Sequence, residues 1–162
     1  MNKNNNYFCL ATSFSIKEQI YAQITFNGFW GFGFLGIILQ DWKWAIIYLF
    51  IVACGILGLV QRHLTCPRCP HLHVHGSCLQ LHPKITKLLI KEQKNNPFSL
   101  NEKILFVSIF LLITIFPIYW LKNNIWFLTG FLLFGSMWYL GQFLYFCKRC
   151  RVSSCPFNKT KK

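Results

Sequence analysis

Charged side chains are almost missing from about half of this 162-residue chain. The stretches 20–40, 42–60, 104–121 and 125–146 contain no Asp, Glu, Arg or His, and Lys43 at the edge of the second is their only lysine. Each is about the ~20 residues that a helix needs to cross the hydrocarbon of a bilayer. A core helix of a soluble protein keeps charge on its outer face, so this absence excludes an ordinary globular domain. It also argues against an ion or proton path through the spans, because such paths are built from intramembrane ionisable groups. Gln23, Asn27 and Cys54 leave only a weak polar trace in the first pair of spans.

Other absences narrow the function. Nothing resembles a nucleotide-binding or phosphate-binding loop, and no RNA-binding motif or basic groove with interleaved aromatics stands outside the apolar stretches. Nucleic acid is therefore not an expected partner. The first fifteen residues, MNKNNNYFCLATSFS, lack the basic and apolar regions of a cleavable signal peptide. The glycines at 28, 31, 33 and 36 never repeat in strict GxxxG spacing. With Gly55, Gly58, Gly130, Gly135 and Gly141 they read as packing positions, where helix backbones approach closely.

What the chain does have is positive charge and cysteine. Lysine and arginine outnumber acidic residues 17 to 4, for a net charge of +13. All but Lys43 and Lys122 lie in the polar segments 1–19, 61–103 and 147–162. Basic residues flanking membrane spans stay on the cytoplasmic side. The expected fold is thus all-α and integral to the cytoplasmic (plasma) membrane, with four transmembrane helices in two hairpins, 20–60 and 104–146. Both termini and the Cys/His-rich loop 61–103 are then cytoplasmic. Tight turns at 40–43 and 122–124 lie on the opposite side, flanked by Trp42, Trp44, Tyr119, Trp120 and Trp126, whose amphipathic rings suit the headgroup region. Capping-box spacing at Ser15–Glu18 and Ser99–Glu102 predicts where the first and third spans begin. A basic amphipathic pattern near 84–94 predicts a short helix on the membrane surface, facing anionic lipids.

Six of the eight cysteines fall into two clusters on that cytoplasmic side: Cys66, Cys69 and Cys78, then Cys147, Cys150 and Cys155. Cys9 and Cys54 read as incidental. Each cluster opens with a CxRC motif a few residues past a span, CPRC once and CKRC once, as in a weak internal repeat. Cytosolic thiols stay reduced, so metal or redox use is expected rather than structural disulfides. Two CxxC pairs supply the four sulfurs of a tetrahedral zinc site, and close cysteine spacing with a Cys-Pro also suits an iron–sulfur cluster. The second and fourth spans, ending on the same face, are expected side by side so that one site fastens the hairpins together. His71, His73 and His75 alternate, which in an extended segment puts three imidazoles on one face as further ligands. CKRC, beside basic residues at a membrane surface, also reads as an acylation motif.

The leading expectation is a subunit or adaptor of a membrane complex with a cytoplasmic zinc or iron–sulfur site, working with a membrane protein partner or a second copy. An iron–sulfur centre would allow electron transfer. Whether the chain is an enzyme is left open. In having four spans and a CxxC it is similar to the membrane disulfide-forming oxidoreductases, which implies thiol redox chemistry. Those enzymes work on the oxidising face, whereas the basic residues put both pairs here on the reducing face. Handling of a soft cation such as Cu(I), Zn(II) or Hg(II) is a further reading, for which thiolates and imidazoles are suited ligands.

Overall fold

The computed structural model describes residues 14–69, 96–150 and 155–157. Cys9, Cys78, His71, His73, His75 and the surface helix expected at 84–94 lie outside the described residues. Four helices carry the described chain, and no strand occurs in it: α1 (Ile16–Ile38), α2 (Trp42–Arg68), α3 (Leu100–Leu121) and α4 (Ile125–Arg149). The helices that lead into the CxRC motifs change pitch before they reach them. α2 is π-helical over Ala53–Thr65 and ends in a single 3₁₀ turn, Cys66–Arg68, while α4 is π-helical over Gln142–Phe146.

Both predicted capping boxes form. The Ser15 N–H donates to Glu18 Oε2 (2.6 Å) and the Glu18 N–H to Ser15 Oγ (3.3 Å). Ser99 and Glu102 repeat the exchange at 2.9 and 3.3 Å. Each box satisfies backbone donors that a helix start otherwise leaves open. At the opposite end, the Asp41 carboxylate caps α2 by accepting from the Lys43 N–H (2.9 Å). The Gln40 amide donates to the Trp120 carbonyl and so ties the two interhelical turns together.

α2, α3 and α4 are long and apolar enough to cross a membrane. α1 matches them in length but is not one of the three, because Gln23, Asn27 and its glycines dilute its apolar content. Large apolar side chains cover the outside of the bundle, including Leu111, Leu132, Leu133 and Trp126, the last 83% exposed. An apolar exterior on this scale belongs against lipid rather than water.

The packing order differs from the one expected. α1 touches all three other helices, and α3 packs on both α2 and α4, but α2 and α4 scarcely meet. They occupy the long diagonal of the bundle instead of lying side by side. The cause is the set of glycine notches shared by α1 and α4. The ring of Phe134 sits over Gly28, Phe32 over Gly130 and Phe29 over Gly135, so a Cβ at any of these glycines would collide with the ring. Interlocking at this range makes α1–α4 the most extensive contact and draws α4 away from α2. Phe29 stacks on Phe131 at 4.6 Å, and Trp138 stacks on Phe110 at 5.5 Å, forming an aromatic centre shared by α1, α3 and α4.

Pro117 lies inside α3 and is buried. It has no N–H to give to the Ile113 carbonyl one turn back, and in an apolar setting that orphan acceptor is expensive. Tyr48 of α2 is fully buried and donates its hydroxyl to Ile113 O (3.4 Å), replacing the missing bond.

Candidate functional site at the cysteine end of the bundle

α1 and α3 begin, and α2 and α4 finish, at the same end of the molecule, and both CxRC motifs lie there. This follows from two ion pairs. Arg68 of CPRC pairs with Glu102 in the first turn of α3 (2.9 Å), and Arg149 of CKRC pairs with Glu18 in the first turn of α1 (2.6 Å). Each arginine from one half of the chain therefore closes on the capping-box glutamate of the other half.

The Arg68 side chain is only 7% exposed and fully engaged. Its Nη2 donates to both Glu102 oxygens (2.9 and 3.1 Å), its Nε to Asn96 O (2.8 Å), and its Nη1 to Leu64 O (3.0 Å) and His63 O (3.4 Å). The guanidinium lies 4.6 Å from the centre of the Phe98 ring. One side chain thus caps the open carbonyls at the end of α2, grips the start of α3 and fixes the turn between Cys66 and Cys69. That turn is closed by the Cys69 N–H donating to Cys66 O (3.1 Å), and Cys66 itself is buried. The Thr65 hydroxyl donates to Val60 O (3.0 Å) and lies 3.9 Å from Cys66 Sγ.

At the second motif, Arg149 Nη1 donates to Glu18 Oε1 and to the Tyr145 hydroxyl, and Tyr145 also donates to Glu18 Oε1 (2.7 Å). Phe14, just before Ser15, packs edge-on against Phe146, just before Cys147 (6.0 Å). Burial works against ionisation of Glu18. The hydrogen bonds from Tyr145, Ser15 and Arg149 outweigh it and bring its pKa from 4.5 down to about 2. Glu102 is lowered as well, chiefly by the Ser99 backbone N–H, against partial burial and with help from Arg68.

Of the expected ligands, Cys66, Cys69, Cys147, Cys150 and Cys155 are described and lie at this end. Cys155 packs with Phe157 against the core, and Phe157 lies 5.0 Å from Phe106 and 4.9 Å from Phe143. Cys54 is a free, exposed thiol within the π-helical part of α2, away from both motifs. Among the described residues, no three of His, Cys, Asp and Glu are grouped closely enough to hold a metal ion. The thiols of each motif come as a pair at the end of a helix. The two ion pairs join the halves here, together with the Tyr145–Glu18 hydrogen bond and the Phe14–Phe146 contact.

Spacing alone does not mark the two arginines and two glutamates as site residues, yet the sequence carries a signal for them. Phe14–Ile20 reads FSIKEQI and Phe98–Ile104 reads FSLNEKI, so each half has the form FSxxExI, helix, turn, helix, CxRC. The repeat is longer than the cysteine motifs alone indicate. No family model matches the chain, and the comparisons with curated proteins and with solved structures found no match.

Proposed function

We propose that this chain is a polytopic membrane protein of four spans in two hairpins whose cysteine clusters form a cytoplasmic metal centre, holding zinc or an iron–sulfur cluster. It serves as a subunit or adaptor of a membrane complex. The observation that carries the reading is the recurrence of CxRC at one end of the bundle, each motif on the last turn of a helix and each held by an ion pair to the other half. Basic residues concentrate on the same end, which supports a cytoplasmic location for it.

Cys66 and Cys69 supply two thiolates on a short turn, the arrangement that lets two sulfurs face one ion at little ordering cost. Cys78 and one of His71, His73 and His75 complete a Cys3His set. Cys147, Cys150 and Cys155 supply the ligands of the second cluster. Zinc bound there is structural, or presents a docking platform. An iron–sulfur cluster would supply one-electron exchange with a membrane partner.

Orientation is tested by thiol labelling of intact cells with a membrane-impermeant maleimide. Cysteines introduced at the exposed positions Lys17 and Lys148 are expected to stay unlabelled until the membrane is opened, while a cysteine introduced at Asn123 labels from outside. Labelling of the native clusters from outside overturns the orientation. Metal content tests the centre itself.

A further inference from the structure

The outward face of α1 carries a seven-residue repeat. Ile20, Ile24, Asn27, Gly31, Phe34 and Ile38 follow one another at alternating steps of four and three, the spacing that keeps one seam of a helix turned toward a second helix. Ile20, Ile24, Asn27 and Ile38 are exposed, and Gly31 and Phe34 are half-buried. Lipid is a poor cover for this seam. Among the four described helices, α1 is the one that falls short of the apolar content of a membrane span. Asn27 stands eleven residues into it, about 16 Å along the axis, where lipid offers a carboxamide no hydrogen-bond partner. The Trp30 indole N–H donates to Asn27 Oδ1 (3.1 Å). That bond holds the amide in one orientation and leaves its NH2 group and the second lone pair of Oδ1 open. One turn further on, Gly31 differs from its neighbours. Phe134, Phe131 and Leu121 fill the space at Gly28, Gly33 and Gly36, whereas a Cβ at Gly31 would meet nothing within 4 Å.

The chemistry of the seam selects its occupant. An amide both donates and accepts, so an identical amide complements it, and two such groups facing each other across a twofold axis exchange two N–H···O bonds. A single Asn in a heptad seam fixes the register and the number of helices, and a glycine at the next contact lets two backbones approach closely. We infer that α1 is the interface of a homodimer, with two copies of the chain pairing in parallel through Asn27, Gly31 and the isoleucines of this seam. Both copies insert with their basic ends on the same side, so the twofold axis lies along the membrane normal and each seam residue meets its own counterpart. Beside the seam, a groove of about 400 Å3 between α1 and α2, lined by Leu49, Ala53 and Leu57, takes up side chains of the second copy. This inference rests on the membrane reading of the bundle and names the partner for it. It is independent of any metal in the cysteine clusters.

The test counts full-length chains, each labelled with one fluorophore at its C-terminus, by single-molecule photobleaching in liposomes over a range of protein-to-lipid ratios. Two-step traces are expected to rise with density and to saturate at two chains. Asn27→Leu and Gly31→Leu should each weaken the association at least about tenfold. The Gly31 substitution meets nothing in its own bundle, so it keeps the test decisive if Asn27→Leu fails to fold. Ile24→Cys should form an interchain disulfide with copper phenanthroline beyond the wild-type background, whereas Leu133→Cys, exposed on α4, should not. Single steps at every density, assemblies larger than two, unchanged affinity in either folded variant, or cross-linking at Leu133→Cys in place of Ile24→Cys overturns the proposal. Carbonate extraction of the source membranes is read in parallel: release of the chain sinks the membrane reading itself, whereas retention of a chain that stays monomeric sinks only the dimer.

Discussion

Arg149, in the last turn of α4, pairs with Glu18, in the first turn of α1, at 2.6 Å. The same relationship recurs between Arg68 and Glu102 with the halves exchanged. Each CxRC motif is thereby anchored to the capping box that opens the other half. A glutamate that already holds its own helix start also receives the arginine, so four short segments distant in sequence depend on two carboxylates.

Removing either arginine should loosen the cysteine end, and unequally. Arg68 is nearly enclosed and makes contacts to three backbone carbonyls besides the carboxylate. Arg68→Gln is expected to destabilise by about 3 kcal/mol, the scale for breaking a buried pair. The Arg149 side chain is 31% exposed, so Arg149→Gln should cost about 1 kcal/mol. Thermal unfolding in detergent measures both. Equal effects would contradict the difference in engagement between the two arginines.

The carboxylates predict a pH response of definite sign. The Glu18 pKa is depressed from 4.5 to about 2 in the folded chain. Its contribution is therefore fully present above about pH 4.5 and is lost as the pH falls toward 2. The lowering at Glu102 acts in the same direction. The thermal midpoint should fall between pH 5 and pH 3, and Glu18→Gln should flatten part of that fall. A Glu18→Gln profile parallel to wild type would show that the carboxylate is not held in its charged form.

Glycine notches set the α1–α4 contact. A Cβ at Gly135 would come within 2.8 Å of the Phe29 ring, which is itself fully buried. Gly135→Leu is expected to destabilise by about 2–3 kcal/mol through overpacking, whereas Gly31→Leu, where an added Cβ meets nothing within 4 Å, should be nearly neutral. Comparable losses at the two positions would place the helix contact elsewhere.

Much of the fold is legible in local chemistry. Ser15 and Ser99 announce helix starts, and the uncharged runs locate α2, α3 and α4, although each helix extends past its run into charged residues, α2 as far as Arg68. These signals depend on neighbours in sequence. The diagonal placement of α2 and α4 depends instead on which glycine faces which phenylalanine across α1 and α4, a matter of three-dimensional register that composition does not encode. At the site, the CxRC repeat flags the cysteines while leaving their distances open. The arginine of each motif reads as ordinary basic flanking charge until its partner is seen. Its pairing with the opposite glutamate is recoverable only by aligning FSIKEQI with FSLNEKI and noticing that charge of opposite sign recurs in both halves.

The central claim is that the cysteine clusters bind metal. Its most direct test is metal and sulfide analysis of the chain purified anaerobically in detergent, with an absorption spectrum of the same sample. The account predicts either stoichiometric zinc in a colourless protein or iron with acid-labile sulfide and broad visible absorption. In either case the metal of the first cluster is lost on Cys66→Ser with Cys69→Ser while Cys54→Ser retains it. Metal-free protein whose cluster thiols all alkylate freely would contradict it.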